Sequence, residues 1–471
     1  MSTNANINIF NNQTLFEDTV AFKWKADQTI LELIPFPKSI NDKLTPQNHS
    51  GDTVYARRPS WVQSQILSNP SVGTQNPNDA DFVDESLAAA VYASPTGFQP
   101  LKQIKVPIAV NHEIRADVEV SAQRLSQSLT REQIEEEFLE PLFTQAKEQI
   151  QVAVTLDLFT AAGNTLILGS SGNGYAADVG GALASAKALM TQRMGTTQLA
   201  KKYAIFHPDV FPSWFTAAPA NYNIGLDPRG QQSGGGFDKD IAGFIPKEAA
   251  TLSPFTIPAQ FTLSSSISTV TVAAPSGSVT NGLTSWASTW QVNLAGLGSG
   301  YVLAKNVRIG FTRAGTTFTS GNTYNWTRPT TAADLGKVAT FVVVNSVTAD
   351  SSGNATVTLA GPLIYGTGGQ ANVNLTTALP TGANAYIIGA GASASIVRPI
   401  IAFDPKSVVG VSPAWDVPIG TPWHRTFKAG GFRFTLLVDR FPGTGQTVMS
   451  LRGLFGVGQV REEGFTTIYG A

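Results

Sequence analysis

The sequence predicts an α+β fold that is interrupted by an inserted all-β unit, and three observations carry this prediction. Between Ala249 and Val397 there are only seven charged residues, although the chain has 32 basic and 33 acidic residues. The same stretch is rich in Ser, Thr, Gly and Val, with short apolar runs between turn residues, which is typical of β-strands. Helical and strand patterns with ordinary charge lie on both sides of it. The β unit is therefore predicted to be inserted into a host domain.

The composition excludes several classes of protein. With 471 residues the chain is long enough for about three domains of roughly 150 residues. Its net charge of −1 argues against sequence-specific binding to duplex DNA, which depends on neutralising phosphates. The absence of cysteine excludes disulfides and thiolate metal sites. Residues 1–12 lack the segments of a secretory signal, and no apolar run is long enough for a membrane span, so we expect an intracellular protein without a membrane partner.

The N-terminal region carries an apolar stripe. Phe16, Val20 and Trp24 recur every four residues, and the pattern ends before Pro35. This spacing predicts an amphipathic arm. A short isolated helix is marginal in water, so the stripe is expected to pack on a surface. That surface belongs either to the same domain or to another chain.

A long polar excursion follows the arm. Alternating apolar residues predict one strand from Asp52 to Arg58 and its partner from Gln103 to Glu113. The intervening residues, 59–101, contain no Lys or Arg and are much longer than an ordinary loop, so we predict that they reach toward a partner. Four acids lie within this excursion: Asp79, Asp81, Asp84 and Glu85.

A single long helix is predicted from Thr130 to Ala162. Thr130 and Gln133 form a capping box at its start, and apolar residues then recur at i+4 spacing. At 1.5 Å per residue such a helix is roughly 50 Å long. Pro141 is expected to bend it, because proline removes a backbone hydrogen bond.

Shorter elements complete the host domain. A second helix is predicted from Gly181 to Met194, and a buried strand within Lys202 to Val210. Near the C-terminus, alternating residues from Phe432 to Val438 lead to a Pro-Gly-Thr-Gly turn, and the chain returns from Val448 to Val457. This pattern predicts a β-hairpin.

No motif indicates catalysis. The four histidines, His49, His112, His207 and His424, lie far apart, and none has a second histidine at metal-binding spacing. The glycine-rich run from Gly169 to Gly174 has neither the flanking elements nor the Lys-Ser/Thr ending of a nucleotide loop. We therefore expect no enzyme activity, cofactor or metal. A glycosidase that uses two acids distant in sequence stays open at this point.

The order of these elements resembles the major capsid proteins of tailed bacteriophages, which have the Hong Kong ninety-seven type fold. The closest resemblance is to the short-tailed Salmonella phage coat protein, which carries an inserted β-barrel domain. The matching segments follow one another along the chain as DTVYARR, IKVPIAVNHEIRADVEVSAQRL, KYAIFHPDVFPSWF, DKDIAGF, LSPFTIP and LRGLFGVGQVREEGF.

The resemblance implies five regions. They are an N-terminal arm (1–40), an extended-loop region (41–120), a spine helix in a peripheral domain (121–163), an axial domain with return strands of the peripheral domain (164–257 and 396–471), and an inserted β-barrel (258–395). Family members that cross-link covalently use a lysine in the extended loop. Residues 59–101 contain none, so a shell held by non-covalent contacts is expected.

The resemblance also implies a function and partners. The chain is expected to assemble into hexamers and pentamers of an icosahedral shell that encloses double-stranded DNA, formed in the bacterial cytoplasm with scaffolding and portal proteins. An encapsulin-like nanocompartment shell is the first alternative. The second, a secreted β-rich carbohydrate-active enzyme or adhesin, is disfavoured by the missing signal and the long helix. Expected contacts between subunits involve the arm residues Phe16, Val20 and Trp24, the acids Asp79, Asp81, Asp84 and Glu85, and the basic residues Arg425, Lys428 and Arg433.

Overall fold

The computed structural model describes the larger part of the chain. The described residues are 30–37, 53–58, 104–120, 140–161, 163–167, 179–194, 202–210, 243–260, 289–313, 322–328, 333–361, 363, 375, 379, 383–390, 393–415, 417, 423–440 and 447–470.

Two α-helices, three short 3-10 helices and 22 strands make up the described fold. The helices are α1 (Glu140–Thr160), α2 (Val179–Met194), η1 (Ile30–Leu33), η2 (Pro405–Ser407) and η3 (Glu462–Gly464). The strands of the first half are β1 (Thr53–Arg58), β2 (Ile104–Ala109), β3 (His112–Val120), β4 (Asn164–Ile167), β5 (Lys202–Phe206), β6 (Phe244–Glu248) and β7 (Phe255–Ile257). The central strands are β8 (Thr289–Leu294), β9 (Val302–Leu303), β10 (Arg308–Thr312), β11 (Asn325–Thr327), β12 (Asp334–Val338), β13 (Thr340–Val343), β14 (Val347–Thr348), β15 (Ala355–Ala360) and β16 (Asn384–Ile387). The final strands are β17 (Ser395–Phe403), β18 (Val408–Val411), β19 (Trp423–Ala429), β20 (Phe432–Arg440), β21 (Thr447–Gln459) and β22 (Phe465–Gly470).

Several predicted elements are confirmed. The class is α+β, and the strands flanking the polar excursion pair antiparallel from Thr53↔Ala109 to Arg58↔Ile104. The second helix and the buried strand are present as α2 and β5. The C-terminal hairpin is present as β20 and β21. Local periodicity was sufficient for the ribbon, the helix and the hairpin because each buries one face, whereas β5 is a short apolar run that is buried on both faces.

The long predicted helix is present from Glu140 to Thr160 as α1. Pro141 is the second residue of this helix as described. The predicted start at Thr130 and the bend lie outside the described residues.

A first sheet carries α1 on one face. Its order is β18-β21-β20-β19, and β3 pairs with β21 as well. Strand periodicity sends alternate side chains toward the helix, and Phe143 of α1 meets Phe427 of β19 with ring centroids 6.0 Å apart. The buried helix-facing residues form one cluster with α1, and they include Ile114, Ala116, Phe432, Phe434, Leu436 and Leu451.

A second sheet has the order β4-β22-β17-β5-β6, with parallel pairing only at β22–β4 and β5–β6. One face packs on α2, where Leu183 and Ala186 join Ile400 of β17 in a buried cluster. The opposite face contributes Ile401 and Phe403 to the cluster that contains α1. This sheet therefore lies between α2 and the rest of the core.

The charge-poor stretch forms a third sheet, with the order β16-β10-β13-β15-β8 and antiparallel pairing throughout. Its centre is a group of aromatic rings, Trp290, Phe311, Trp326 and Phe341, each with at most 1% exposure. Strand β7, before this sheet, pairs antiparallel with β17, after it. The chain thus leaves the host and returns to it at adjacent strands. A closed barrel remains a prediction, since residues 261–288 and 364–374 lie outside the described part.

Candidate assembly interface

The β1–β2 ribbon, from which the polar excursion leaves, is seated on the C-terminal half of β21 and on β18. Ala56 and Ile108 of the ribbon are buried against Val411 and Val460. The close approach requires glycine: a Cβ at Gly456 would lie 2.0 Å from the Ala109 carbonyl oxygen. The base of the ribbon, its end at Thr53 and Ala109, is therefore held in a fixed position on the first sheet.

The alternation of glycines in β21 was the sequence signal for this seat. Gly456 and Gly458 are two residues apart, so both face the ribbon, and a Cβ at Gly458 would lie 2.6 Å from Ile108. Glycine inside a strand weakens it and often marks close approach of another backbone. This segment contributes to the family resemblance, but its packing against the ribbon was not predicted.

A polar contact ties the corner after the ribbon to α1. His112, the first residue of β3, places Nε2 2.8 Å from the Asp157 Oδ2 of α1. The His112 ring also stacks on Phe455, with centroids 4.9 Å apart. Both ionisable side chains are largely buried, at 22% and 16% exposure. His112 thus joins the start of β3 to α1, and its partner Asp157 was not readable from sequence.

The face of the first sheet opposite α1 is polar. Ser450 Oγ donates to Asp117 Oδ1 at 2.5 Å, and Arg115 Nε donates to Asp117 Oδ2 at 2.6 Å. Arg452 lies 3.4 Å from the same carboxylate. Burial by itself would raise the pKa of Asp117, but these hydrogen bonds and the charges of Arg452 and Arg115 outweigh it, and the pKa is lowered. This face therefore carries a carboxylate that is ionised near neutral pH, within a network that includes two arginines.

The three predicted basic contacts do not share one surface. Lys428 of β19 stands directly opposite Arg433 of β20. Arg425 is an odd number of residues from Lys428, so it points to the other face, beside Phe427. Arg425 is half-buried, whereas Lys428 is exposed. The polar face thus holds Lys428 and Arg433 as a pair, and Arg425 faces the helix side.

The remaining predicted contact residues lie outside the described residues. They are the arm residues Phe16, Val20 and Trp24 and the loop acids Asp79, Asp81, Asp84 and Glu85. The end of the predicted arm is described: Ile30 and Leu31 belong to the cluster that contains α1, and Gly410 N donates to the Pro35 oxygen.

A cleft of about 560 Å³ lies between β2, the end of α1 and the third sheet. Two carboxylates, Asp157 and Glu462, are among its lining residues. Asp157 is engaged with His112, and Glu462 is only 4% exposed. This arrangement does not favour the pair of accessible, facing carboxylates that a glycosidase uses.

Two further observations concern metal binding and membrane-spanning helices. Within the described ranges, no group of three or more His, Cys, Asp or Glu side chains is placed to hold a metal ion. Neither α1 nor α2, the helices described, is long and apolar enough to cross a membrane.

Comparison with known proteins gives similarities in structure and none in sequence. No family model and no curated protein matches the chain. A structure from Mycobacterium phage Che8 has a TM-score of 0.40 at 11% identity and covers 94% of this chain and 91% of its own. The capsid of Ralstonia phage GP4 has a TM-score of 0.40 at 8% identity, with 93% and 87% covered. The capsid of a native GTA particle has a TM-score of 0.37 at 7% identity, with 94% of both chains covered.

Proposed function

We propose that this chain is the major capsid protein of a tailed bacteriophage and assembles with itself into the icosahedral shell around the DNA. The observation that carries the proposal is the ribbon β1–β2, anchored at its base on a sheet that α1 covers. A long excursion leaves the other end of this ribbon, between Arg58 and Ile104, in the order of elements that the capsid resemblance implies. The finer likeness to a coat protein with an inserted β-barrel is part of the same proposal.

The physics of a shell supports this role. Closed shells use heterologous contacts that repeat around rings. A ribbon with a fixed base gives the excursion a defined starting point, and we propose that the excursion contacts a neighbouring subunit from there. A net charge of −1 also suits a container, because a strongly basic wall would bind packaged DNA through counterion release.

The proposed partners follow from the same role. We propose hexamers and pentamers of this chain, scaffolding and portal proteins during assembly in the bacterial cytoplasm, and packaged double-stranded DNA without sequence-specific contacts. We further propose that the protein has no catalytic activity and needs no cofactor. A nanocompartment shell that encloses a protein cargo is the competing outcome.

Sedimentation velocity of the purified full chain tests the proposal. We expect particles far heavier than the 49.8 kDa monomer, in equilibrium with small oligomers at low concentration. Particles isolated from infected cells should contain nuclease-protected DNA. Particles that hold a stoichiometric protein cargo instead of DNA would favour the nanocompartment, and a monomer at every concentration would contradict both shell functions.

The absence of a loop lysine leads to a prediction about covalent bonds. Mature particles boiled in denaturant should release only monomers of 49.8 kDa, because residues 59–101 offer no lysine for an isopeptide bond. Denaturing gel electrophoresis measures this directly. A ladder of multimers that survives boiling would show that lysines elsewhere in the chain form cross-links.

The loop acids are predicted to contact the Lys428–Arg433 pair of a neighbouring subunit. Like charges directly opposite on adjacent strands are unfavourable, and an anionic group above them would relieve the repulsion. Each such exposed ion pair contributes roughly 0.2–1 kcal/mol, but a shell repeats it in every subunit. Replacing Asp79, Asp81, Asp84 and Glu85 with Asn or Ser should therefore lower shell yield and increase salt sensitivity, with the monomer melting temperature unchanged.

Charge reversal supplies the control for this prediction. Lys428→Glu should also lower yield, and adding Asp81→Lys and Asp84→Lys should restore part of it. Lys187→Glu, at an exposed position on α2, should have no effect on assembly. If the loop variant assembles like the parent across ionic strengths, the loop charges serve solubility alone.

A further inference from the structure

Arg308 is a buried cation that joins the third sheet to the host domain. It is the first residue of β10 and is only 1% exposed. Its Nη2 donates to the Phe159 carbonyl at 2.7 Å and to Thr467 Oγ1 at 2.9 Å. Its Nη1 donates to the Tyr469 hydroxyl at 3.0 Å and to the Asn306 carbonyl at 3.0 Å. One side chain thus links the inserted sheet to α1 and β22.

The Phe159 contact lies at the end of α1, where backbone carbonyls lack helical partners. An α-helix leaves its last four carbonyls without internal hydrogen bonds. In α1, the Asp157 carbonyl accepts from Thr160 Oγ1 and the Leu158 carbonyl accepts from Ala161 N. The Phe159 carbonyl accepts from Arg308. The inserted sheet therefore supplies one of the hydrogen bonds to this end of the helix.

A second inserted residue continues the contact. Thr340, the first residue of β13, donates from Oγ1 to the Gly163 carbonyl at 2.9 Å. The same hydroxyl lies 3.1 Å from Thr165 Oγ1 of β4. Both Thr340 and Thr165 are buried. Arg308 and Thr340, on adjacent strands, together hold the segment in which α1 passes into β4.

The environment of Arg308 compensates its charge without an acid. Among the described residues, no carboxylate pairs with it. The guanidinium carbon lies 4.7 Å from the centroid of Phe159 and 5.5 Å from that of Tyr469, which is cation–π distance. The negative end of the α1 dipole, at the C-terminus of the helix, is a further favourable partner. The contact with Phe159 and the interaction with the dipole both depend on Arg308 lying beside the C-terminal end of α1.

We infer that the insertion acts as the C-terminal cap of α1 and clamps the helix end to β22 through Arg308. The insertion is accordingly not a freely hinged appendage. Any change in the direction of α1 during shell assembly must move the third sheet with it. Arg308 is a positioning residue for the helix end, and Thr340 supports the same clamp.

Hydrogen exchange of the full-length chain, followed by mass spectrometry, tests this inference. In Arg308→Met, amides at the end of α1 and in β22 should exchange about tenfold faster or more, since hydrogen bonds from a charged donor are lost. Amides in the first turns of α1 and in β8 and β15 should keep their parental rates. Arg308→Lys should restore part of the protection, because an ammonium keeps the charge but cannot reach four acceptors in fork geometry.

Arg313→Met is the matched control, since Arg313 lies just after β10 and is exposed. It should leave exchange at the end of α1 unchanged. If Arg308→Met does not fold, Arg308→Lys and Thr340→Val decide: faster exchange confined to the end of α1, β4 and β22 supports the clamp. If every variant that folds has the same exchange rates as Arg313→Met at the end of α1 and in β4 and β22, the clamp is contradicted.

Discussion

Replacing Phe341 with alanine is expected to lower the free energy of unfolding of the inserted unit by about 3–5 kcal/mol. Phe341 has no exposed surface and stands at the centre of the third sheet. Its ring lies 5.0 Å from Trp290, 6.0 Å from Phe311 and 5.5 Å from Trp326, centroid to centroid. Truncation removes these contacts and leaves a cavity that the surrounding strands fill only partly.

Urea denaturation followed by tryptophan fluorescence measures the loss, because Trp290 and Trp326 lie in the affected cluster. The matched control is Val302→Ala in β9, where the side chain is 52% exposed and the expected change is within about 0.5 kcal/mol. Equal midpoints for the two variants would mean that the aromatic group is not the core of this unit.

Replacing Gly456 with alanine is expected to reduce shell assembly sharply. The new Cβ would lie 2.0 Å from a backbone oxygen of Ala109, which cannot rotate away as a side chain does. Either the ribbon base shifts or β21 distorts, and overpacking of this kind costs about 1–3 kcal/mol. We expect a modest fall in melting temperature and a much larger fall in particle yield, because in the proposed function the ribbon carries the excursion that contacts a neighbouring subunit.

Val457→Ala is the control for Gly456→Ala. It changes the adjacent position of β21, but it removes side-chain volume instead of adding it. Melting temperature and particle yield by sedimentation are measured for both variants. Parental yield in Gly456→Ala would show that the position of the ribbon base does not govern assembly.

The sequence was most informative where one side of an element is apolar. The pairing of β1 with β2 and the hairpin β20–β21 were predictable from strand alternation, and α2 from helical spacing. The loss of charge predicted strands in the stretch that forms the third sheet, although the pairing of β7 with β17 at its two ends was not predicted. Pairing between strands far apart in sequence leaves no local pattern.

The candidate interface was only partly predictable. Basic residues were expected in the C-terminal segment, but the register of β19 and β20 decides that Lys428 and Arg433 share a face and Arg425 does not. Arg308 is one of the few cations in the charge-poor stretch. Its burial against the end of α1 was not predictable, because it depends on packing between residues far apart in sequence. Such contacts follow from tertiary structure, which residue spacing does not encode.

Negative-stain electron microscopy of the purified full-length chain tests directly whether it forms shells. We expect closed or partial shells built from rings of five and six subunits, present in the parent and in Val457→Ala and reduced in Gly456→Ala. Particles no larger than a single 49.8 kDa subunit, at all protein concentrations and in the presence of scaffolding partners from infected cells, would contradict it.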